Sequence, residues 1–348
     1  MHAQQPSSDR EIAFPDLDSY LTLVCDLHTH SVFSDGSVWP DIRVEEAKRD
    51  KIDVLAVTEH LEYHPHSSDI PHPNRNRSYQ LAKKYNDGDL LVINGAEITR
   101  GVTLGHCNAI FVTDANKLLI EDEMKVFEEA NKQKAFVFWN HPYRKQKPYG
   151  TVKLNDIHKN LIEKGHIHGI EVVNKNKYSD ESLQIALDYN LTIMANSDIH
   201  GLIDWVWEVY SGEHRPVTLV FAKEKSEEAI KNALFNRQTV VWNDNTLIGR
   251  EEWLLPLINA SLEVVSLENK KDLGYVIIKN HSDVKFVLRN ISKFNFFMDS
   301  DLVEVPAHGE AEIVVITRGK KNRFDLEFEV QNAIFAPRKH PVIKIEVK

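Results

Sequence analysis

Two histidines, His28 and His30, alternate with other residues directly after the apolar run that ends at Cys25. In an extended chain, side chains two positions apart point to the same side, so the two imidazoles can meet at one point. Asp35 follows in a Ser-Asp-Gly turn and offers a hard oxygen ligand near the same place. Imidazole and carboxylate groups together suit a metal ion. The segment alone fits either a metal site or an exposed polar loop, and residues downstream decide between them.

Short apolar runs alternate with amphipathic stretches from residue 22 to about residue 242. Near-continuous apolar strands alternating with helices are typical of a parallel sheet covered on both faces. We favour a closed barrel over an open sheet, because no glycine-rich nucleotide-binding turn follows the first strand. The predicted strands are 22–26, 54–58, 91–97, 135–139, 169–173, 191–196, 217–221 and 239–242, and the predicted helices are 40–50, 78–85, 121–132, 156–164, 180–189 and 226–235.

Residues that can bind metal stand at the ends of most of these strands. In a parallel barrel the strand ends lie at one rim, where catalytic groups gather. His106 differs, because it precedes the apolar run 109–112. That segment would have to run counter to its neighbours, or loop over the rim, to bring His106 inward. The residues that follow strands are Glu59, His60, Glu97, Asn140, His141, Asn174, Asp198 and His200.

The ordered set of motifs resembles the PHP (polymerase and histidinol phosphatase) family over residues 22 to about 242. The resemblance implies a distorted (β/α)7 TIM-like barrel that binds two or three divalent metals and hydrolyses phosphate esters. Each motif is weak alone, whereas their order along the chain is highly specific. The motifs are Asp26-Leu27-His28-Thr29-His30-Ser31, Ser34-Asp35-Gly36, Thr58-Glu59-His60, Glu97, His106, His141 and Asp198-Ile199-His200.

The resemblance also implies how the ligands divide among the metals, which we expect to be zinc, manganese or iron. Asp26 and Glu59 would lie behind the ligands. Glu59 stands where the family usually has aspartate, and its extra methylene could shift the third site. The implied sets are His28, His30, Glu97 and Asp198 for one metal, Glu97, His106 and His141 for a second, and Asp35, His60 and His200 for a third.

The implied activity is hydrolysis of a small phosphate ester, a phosphomonoester or a nucleotide, by metal-activated hydroxide at a multinuclear site. Arg144 follows His141 by three residues and is predicted to reach a phosphate from the rim. Arg100 and Lys175 are further candidates for this role. The sequence does not select the natural substrate or the oligomeric state.

Two other functions stay open. An amidohydrolase-like metal hydrolase acting on a C–N or C–O bond also places His-x-His after its first strand, although such sites commonly use a carboxylated lysine where this chain has Glu97 and His141. A metal-stabilised binding protein without catalysis is the second alternative. A full ligand set argues against it, because structural metal sites usually leave no open position.

The composition of the 348 residues limits the partners. A net charge of -10 argues against broad, sequence-independent nucleic-acid binding, which needs a basic surface. The sequence has no apolar run near the ~20 residues that cross a bilayer, so we expect no membrane partner. Two cysteines are too few for a disulfide framework, and we expect buried free thiols while leaving one bridge open. The polar start resembles the tail left after signal-peptide removal, which leaves an exported or periplasmic and a cytoplasmic location open.

The pattern of apolar residues changes after Trp242. The whole sequence is predicted to divide into four segments. Alternating apolar residues such as Phe324, Leu326 and Phe328 are typical of an antiparallel β-sandwich. The long loop over 61–77 is expected to control substrate access, with His64, His66 and His72 outside the ligand set. The segments are a disordered tail over 1–20, the catalytic barrel over 21–246, a linking helix over 247–260 capped by Pro256, and a small all-β sandwich over 261–348.

Overall fold

The computed structural model describes residues 11–86, 88–101, 103–144, 151–297, 300–318 and 323–347. The chain divides into two units. The first contains Leu23–Asp244, and the second contains Ala13–Thr22 together with Asn245–Lys348. We describe each unit by itself.

Strands and helices alternate along the first unit as the hydrophobic pattern predicts. Pro40 lies in the first turn of its helix, where its missing N–H breaks no bond. The Ser226 side chain accepts a hydrogen bond from Ala229 N and caps the sixth helix. The elements are β1 (Leu21–Asp26), α1 (Pro40–Arg49), β2 (Val54–Val57), α2 (Arg77–Ala82), β3 (Leu91–Thr99), β4 (His106–Ile110), α3 (Glu123–Lys132), β5 (Phe136–Trp139), α4 (Asp156–Glu163), β6 (Gly169–Asn174), β7 (Lys177–Tyr178), α5 (Asp180–Asp188), β8 (Thr192–Asn196), β9 (Val217–Ala222), α6 (Glu227–Phe235) and β10 (Thr239–Asn243).

These strands form one curled sheet in the order β10-β9-β1-β2-β3-β4-β5-β6-β7, with β8 paired to β6. The pairs β1–β2, β2–β3, β5–β6 and β6–β8 are parallel. In contrast, β4 runs antiparallel to β3 and β5, β7 runs antiparallel to β6, and β10 runs antiparallel to β9. The chain between β3 and β4 is too short for the crossover that a parallel pair requires. The reversed direction of β4 is one of the two ways by which His106 could reach the rim.

The predicted closed barrel of seven parallel strands needs correction. In the described residues, no backbone ladder joins β8 to β9. The Thr218 hydroxyl on β9 instead accepts from Ala195 N at 2.9 Å and donates to Ala195 O at 2.8 Å. A threonine side chain here occupies the backbone groups that a closed ladder would use, so the sheet curls without closing completely.

Apolar side chains fill the space enclosed by the curled sheet. Cys25, Phe136, Phe138 and Met194 are fully buried in one core cluster. Full burial of a side chain of this size contributes about 1.5–3 kcal/mol to the free energy of unfolding. Cys25 and Cys107 are buried free thiols, which confirms the prediction made from their number.

The second unit contains two antiparallel sheets with alternating burial. Phe324, Leu326, Phe328 and Val330 all point into the core, as the alternation predicts. The sheets have the orders β12-β13-β16 and β15-β14-β17-β19, and β11 pairs with β18. The elements are β11 (Thr246–Gly249), α7 (Glu251–Ser261), β12 (Leu262–Lys270), β13 (Leu273–Asn280), β14 (Phe286–Asn290), β15 (Leu302–Val305), β16 (Glu310–Ile316), β17 (Phe324–Val330), β18 (Ala333–Ile334) and β19 (Val342–Val347).

The predicted linking helix over 247–260 is wrong at its start. Leu247 pairs with Ala333 in the β11–β18 ladder, and α7 begins only at Glu251. Pro256 lies inside α7 and does not cap it. Its missing N–H leaves one carbonyl without the usual helical bond, which the helix tolerates here.

Part of the predicted N-terminal tail makes defined contacts in the second unit. Thr22 N donates to Asp16 Oδ1 at 2.7 Å, and the Tyr20 ring meets Trp253 edge-on with centroids 5.4 Å apart. Residues 1–10 of that prediction lie outside the described residues. Among the described helices, none has the length and apolar character required to span a membrane.

Candidate metal centre

His28 and His30 extend beyond β1 into the rim of the sheet, and both are completely buried. Their Nε2 atoms face each other at 3.1 Å. His28 Nδ1 donates to Glu171 Oε1 on β6 at 2.9 Å. Because this bond uses the Nδ1 proton, the neutral form of His28 would carry its lone pair on Nε2, which faces His30. The pair therefore offers two imidazole nitrogens to one ion.

Glu97 on β3 is the carboxylate that contacts the largest number of candidate ligands. Its Oε1 lies 3.0 Å from His106 Nδ1 and 3.3 Å from His141 Nε2. Its Oε2 lies 2.7 Å from His60 Nδ1 and 3.6 Å from His30 Nε2. A carboxylate with imidazoles on both oxygens is placed to bridge two cations.

Asp198 follows β8 and reaches the same two histidines from the opposite side. Its Oδ1 lies 3.4 Å from His28 Nε2 and 3.3 Å from His30 Nε2. The backbone holds this approach, because Asp198 N donates to His28 O at 2.9 Å and His30 N donates to Ile199 O at 3.1 Å. Asp198 has a φ of 48°, a left-handed conformation that aspartate tolerates better than most residues.

A third carboxylate, Asp35, lies with His60 and His200 at the more exposed side of the cluster. His200 Nδ1 donates to Asp198 O at 2.9 Å, which leaves Nε2 facing Asp35 Oδ1 at 3.1 Å. His60 Nε2 lies 3.5 Å from Asp35 Oδ2. The His30 ring stacks on the His200 ring with centroids 4.3 Å apart, so His30 contacts this part of the cluster as well.

All nine candidate ligands thus gather in one cluster at the rim. Within it, four overlapping groups bring ligand atoms to within 4.8 Å of one another. The groups are His30, Asp35, His60 and His200; His28, His30 and Glu97; His28, His141 and Asp198; and His60, Glu97 and His106.

The donor chemistry of this cluster fits divalent metal ions. It combines six imidazoles with three carboxylates, which matches the preferences of zinc, iron and manganese. Two buried carboxylate oxygens, Asp35 Oδ1 and Glu97 Oε2, accept no hydrogen bond. A buried anionic oxygen without a donor is costly, and a cation would compensate it.

The electrostatics of the cluster keep its carboxylates charged. Burial alone would raise the pKa of Glu97, but the neighbouring His60 and His28 hold it well below its usual range. The same competition, with His28 as the main charge partner, lowers the pKa of Asp198. Burial and the neighbouring His200 lower the pKa of His30 to about 4. His30 is therefore neutral at pH 7, as an imidazole ligand must be.

The structure places Asp26 and Glu59 behind the cluster in different ways. Asp26 contacts no candidate ligand side chain; its Oδ1 accepts from Ser197 N at 3.1 Å and its Oδ2 from Arg215 at 3.1 Å. Glu59 accepts from the Ser31 and Ser34 hydroxyls and, at 2.6 Å, from Ser78 Oγ. Ser34 Oγ lies 3.3 Å from His30 Nδ1 and connects Glu59 to a candidate ligand.

Two of the three basic candidates reach the cluster. Arg144 Nη1 lies 3.2 Å from Asp198 Oδ2, and Lys175 Nζ lies 4.0 Å from the same oxygen. Both side chains are more than a third exposed, so each can turn toward a ligand in solvent. Arg100 instead pairs with Glu62 and donates to Ile120 O at 2.5 Å. Its guanidinium is thus engaged away from the candidate ligands.

The histidines of the loop over 61–77 stay outside the four metal-binding groups. His64 Nε2 lies 2.7 Å from His60 O, and His66 Nε2 lies 3.1 Å from Gly36 O, so both contact backbone beside candidate ligands. The half-exposed Tyr63 ring meets the His60 ring with centroids 5.8 Å apart. The loop therefore borders the cluster.

Sequence reasoning missed Glu171 and Arg43, and it placed Asn140 at the rim without assigning it a role in orienting candidate ligands. Glu171 also accepts from His141 N at 2.8 Å, and Asn140 Nδ2 donates to Glu97 Oε1 at 2.9 Å. Arg43 donates to the carbonyl oxygen of His30 at 3.0 Å. One available signal was Glu171 itself, a lone acid inside the apolar run from Gly169 to Val173.

The curled α/β sheet with a histidine–carboxylate cluster at its rim, followed by a β-sandwich, defines a two-domain protein of the PHP-like class. A family model for an Ig-like domain matches residues 261–346. The chain belongs to the PHP-like family: it is 40% identical to a two-domain protein from Bacteroides vulgatus that contains a predicted PHP-like metal-dependent phosphoesterase, with a TM-score of 0.91 and 99% coverage of both chains.

Two solved structures resemble only part of the chain. One is a protein from Bifidobacterium adolescentis considered to be a metal-dependent phosphoesterase, at 15% identity and a TM-score of 0.40, with 51% of this chain and 88% of that chain covered. The other is an amidohydrolase from Chromobacterium violaceum with bound sulfate and no metal, at 14% identity and a TM-score of 0.35, with 51% and 87% covered. No curated protein matches the chain.

Proposed function

We propose that this protein is a metal-dependent phosphoesterase that hydrolyses a small phosphate ester, either a phosphomonoester or a nucleotide. The observation that carries the proposal is the convergence of all nine candidate ligands, which come from distant parts of the sequence, at one rim. The relationship to the predicted phosphoesterase from Bacteroides vulgatus supports the reaction class.

The ligand sets of the proposal are those that the family resemblance implies. His28, His30 and Asp198 would hold one metal together with Glu97, and His106 and His141 would hold a second, also with Glu97. Bound divalent metals supply Lewis-acid stabilisation of phosphoryl charge and lower the pKa of water. We propose zinc, manganese or iron, because the imidazole-rich donor set suits them better than magnesium.

A third metal would lie with Asp35, His60 and His200. The Asp35 pKa is depressed because the neighbouring imidazoles of His200 and His60 outweigh the effect of burial. Asp35 therefore stays anionic and available to a cation over the whole physiological range. This group is more exposed than the other two, and it would be the first to exchange its metal with solvent.

Arg144 and Lys175 would bind the phosphate group of the substrate. Both cations converge on Asp198 Oδ2, beside the point at which a phosphate would meet the cluster. A bound phosphate offers oxygens with more negative charge than one shared carboxylate, so both side chains would turn to it. Loss of Arg144 would weaken substrate binding more than loss of Lys175, because its planar fork can contact two oxygens.

The overall charge favours a small substrate over a long nucleic acid. At a net charge of -10, the protein repels a polyanion at long range. Metals in the cluster would reverse the sign of the potential only locally. A monoester or nucleotide can enter this local field without bringing the rest of the molecule close to the acidic surface.

A phosphoester panel on protein of measured metal content tests the proposal. The panel should include p-nitrophenyl phosphate, nucleotides and sugar phosphates, each with manganese, zinc or iron, and amide and lactone substrates for comparison. We expect metal-dependent phosphate release by the wild type and by His281→Ala, a change in the second unit, and none by His30→Ala. Turnover of amides or lactones alone would instead support an amidohydrolase-like enzyme, and no turnover by metal-loaded protein would contradict both.

A further inference from the structure

A buried arginine on α1 contacts the backbone of two candidate metal ligands. Arg43 is only 2% exposed although it carries a full charge. Its Nε donates to His30 O at 3.0 Å, and its Nη2 donates to His200 O at 3.3 Å and also to Gly201 O. One guanidinium thus joins the segment after β1 to the segment after β8.

The remaining nitrogen of Arg43, Nη1, points to a carboxylate that extends the same connection. Arg43 Nη1 donates to Glu46 Oε2, and Glu46 Oε1 accepts from Ile203 N at 2.8 Å. Removing an arginine from water costs several kcal/mol, which is offset only when its donors find acceptors of good geometry. Three backbone carbonyls and one carboxylate fulfil that requirement here, so the guanidinium has one well-determined position.

The geometry of these bonds limits how far His30 and His200 can move apart. The two imidazoles stack at 4.3 Å and face Asp35 Oδ1 from Nδ1 of His30 at 3.7 Å and Nε2 of His200 at 3.1 Å. The planar guanidinium holds the backbone of both residues at fixed separation. A change in that separation would move both rings relative to Asp35 and His60.

We propose that Arg43 is a positioning residue that fixes the spacing of His30 and His200 and thereby the affinity of the metal group His30, Asp35, His60 and His200. The inference rests on the proposed metal centre but not on the identity of the substrate. Arg43 bonds to backbone oxygens of His30 and His200, so we expect its effect in the binding of the ion, and in turnover only through that binding.

The same helix supplies a matched control. Arg49 pairs with Asp204 through two bonds of 2.8 and 2.9 Å, so it also ties α1 to the segment after β8. This pair lies at the surface, and the described bonds of Arg49 go to Asp204 and Asp50, neither of which is a candidate ligand. Arg43→Lys and Arg49→Lys both keep the charge and replace a planar fork by a single ammonium group, which cannot span several acceptors in one plane.

The experiment measures the content and the dissociation constants of bound manganese and zinc, by elemental analysis and competition with a chromogenic chelator. For Arg43→Lys we expect one metal equivalent to bind about 10- to 100-fold more weakly, a typical effect of outer-shell changes, while the tighter equivalents remain. For Arg49→Lys we expect affinities within about twofold of the wild type, in line with the small contribution of surface pairs. Circular dichroism and thermal unfolding report whether each variant is folded.

A double variant keeps the test decisive if Arg43→Lys does not fold. Arg43→Met with Glu46→Gln removes both buried charges, which is often tolerated, and it retains the acceptor for Ile203 N. Its loss of one metal equivalent would support the proposal. Wild-type affinities in a folded Arg43 variant, or equal losses in the Arg43 and Arg49 variants, would overturn it. Wild-type protein that binds no metal would overturn the metal centre as well, and metal binding without phosphoester turnover would count only against the proposed reaction.

Discussion

The curled sheet and the Ig-like sandwich bury different kinds of residue. Strand β2 is buried along its whole length, whereas β13 alternates buried and half-exposed positions. The sheet unit also buries charged groups such as Glu97, Asp198 and Arg215. The buried polar residues described in 245–347 are all neutral, namely Ser261, Asn280, Ser282 and Thr317. Burial of charge is costly, and among the described residues it is confined to the unit that holds the candidate ligands.

The buried polar groups of the sandwich have a structural explanation. Asn280 Nδ2 donates to Val284 O at 2.6 Å and to Pro306 O at 2.9 Å, and its Oδ1 accepts from Ser282 N at 3.0 Å. These bonds satisfy the ends of β13 and the following turn. They leave no unused donor or acceptor of Asn280 for a ligand, in contrast to Glu97 Oε2 in the sheet unit.

The largest expected effect follows from removing the central carboxylate. Glu97→Gln keeps the shape of the side chain but removes the charge that lies beside five candidate histidines. We expect kcat/KM for a metal-dependent substrate to fall at least about 1,000-fold, since metal ions contribute several kcal/mol to the barrier. Steady-state kinetics with metal analysis measure this. Glu263→Gln in the sandwich is the matched carboxylate change, and an equal loss in that variant would erase the contrast between the two units.

A core substitution in the sandwich should lower stability and leave metal binding unchanged. Phe328 is fully buried there, and Phe328→Ala should lower the free energy of unfolding of the sandwich by about 3–5 kcal/mol. We expect metal content to stay at the wild-type value, because no candidate ligand lies in that unit. Chemical denaturation and elemental analysis report the two quantities. Loss of metal from the folded variant would show that the centre depends on the sandwich.

Glu171→Gln should have an intermediate effect on the centre. It removes the charge that accepts from His28 Nδ1 but leaves an amide oxygen in the same place. We expect metal affinity to fall about 10- to 100-fold, because the basicity of a ligating imidazole depends on its outer partner. Chelator competition measures the change. Glu327→Gln on the exposed face of β17 serves as the control, and wild-type affinity in Glu171→Gln would refute this role.

The smallest expected effect is on the pH dependence of folding stability, and it comes from a histidine that lies away from the cluster. Burial lowers the pKa of His158 to about 4, where its ring stacks on Trp139. Between pH 4 and 6.5 the unfolded chain binds more protons than the folded chain, so stability falls as the pH falls. From pH 7 to pH 5 this histidine accounts for a loss of about 2 kcal/mol.

Urea unfolding of chelator-treated protein at pH 7 and at pH 5 measures how much of the loss of stability comes from His158. His158→Gln should reduce the loss by that amount. Burial also lowers the pKa of His168 to about 4. His168→Gln is therefore the variant with which the pH dependence of His158→Gln is compared. An unchanged pH dependence in His158→Gln would contradict the assignment.

The sequence predicted most of the sheet from local signals, and local signals together with the family resemblance named the nine side chains that the structure brings into one cluster. Continuous apolar runs mark buried strands, and a polar residue directly after such a run lies at the rim. The closure of the barrel left no such signal, since it depends on the Thr218 hydroxyl meeting the backbone of Ala195. Arg43 was missed for a related reason. An arginine in a charged helix indicates solvent, and only the fold reveals that its acceptors are carbonyls from distant segments.

The α7 error has a different origin. A proline within an apolar run predicts a helix cap, whereas α7 accommodates Pro256 in its interior. The preceding residues Leu247–Gly249 form a strand because Ala333 and Ile334 pair with them, and such a partner is invisible in a local pattern. Long-range pairing decided these residues, and local propensity did not.

Anomalous diffraction from crystals of the metal-loaded protein tests the central claim most directly. We expect two or three peaks at the rim, with imidazole nitrogens and carboxylate oxygens at about 2.0–2.2 Å from each ion and Glu97 in contact with two of them. Peaks confined to other parts of the molecule, or no peak in protein that retains metal in solution at full activity, would contradict a shared centre built from these nine residues.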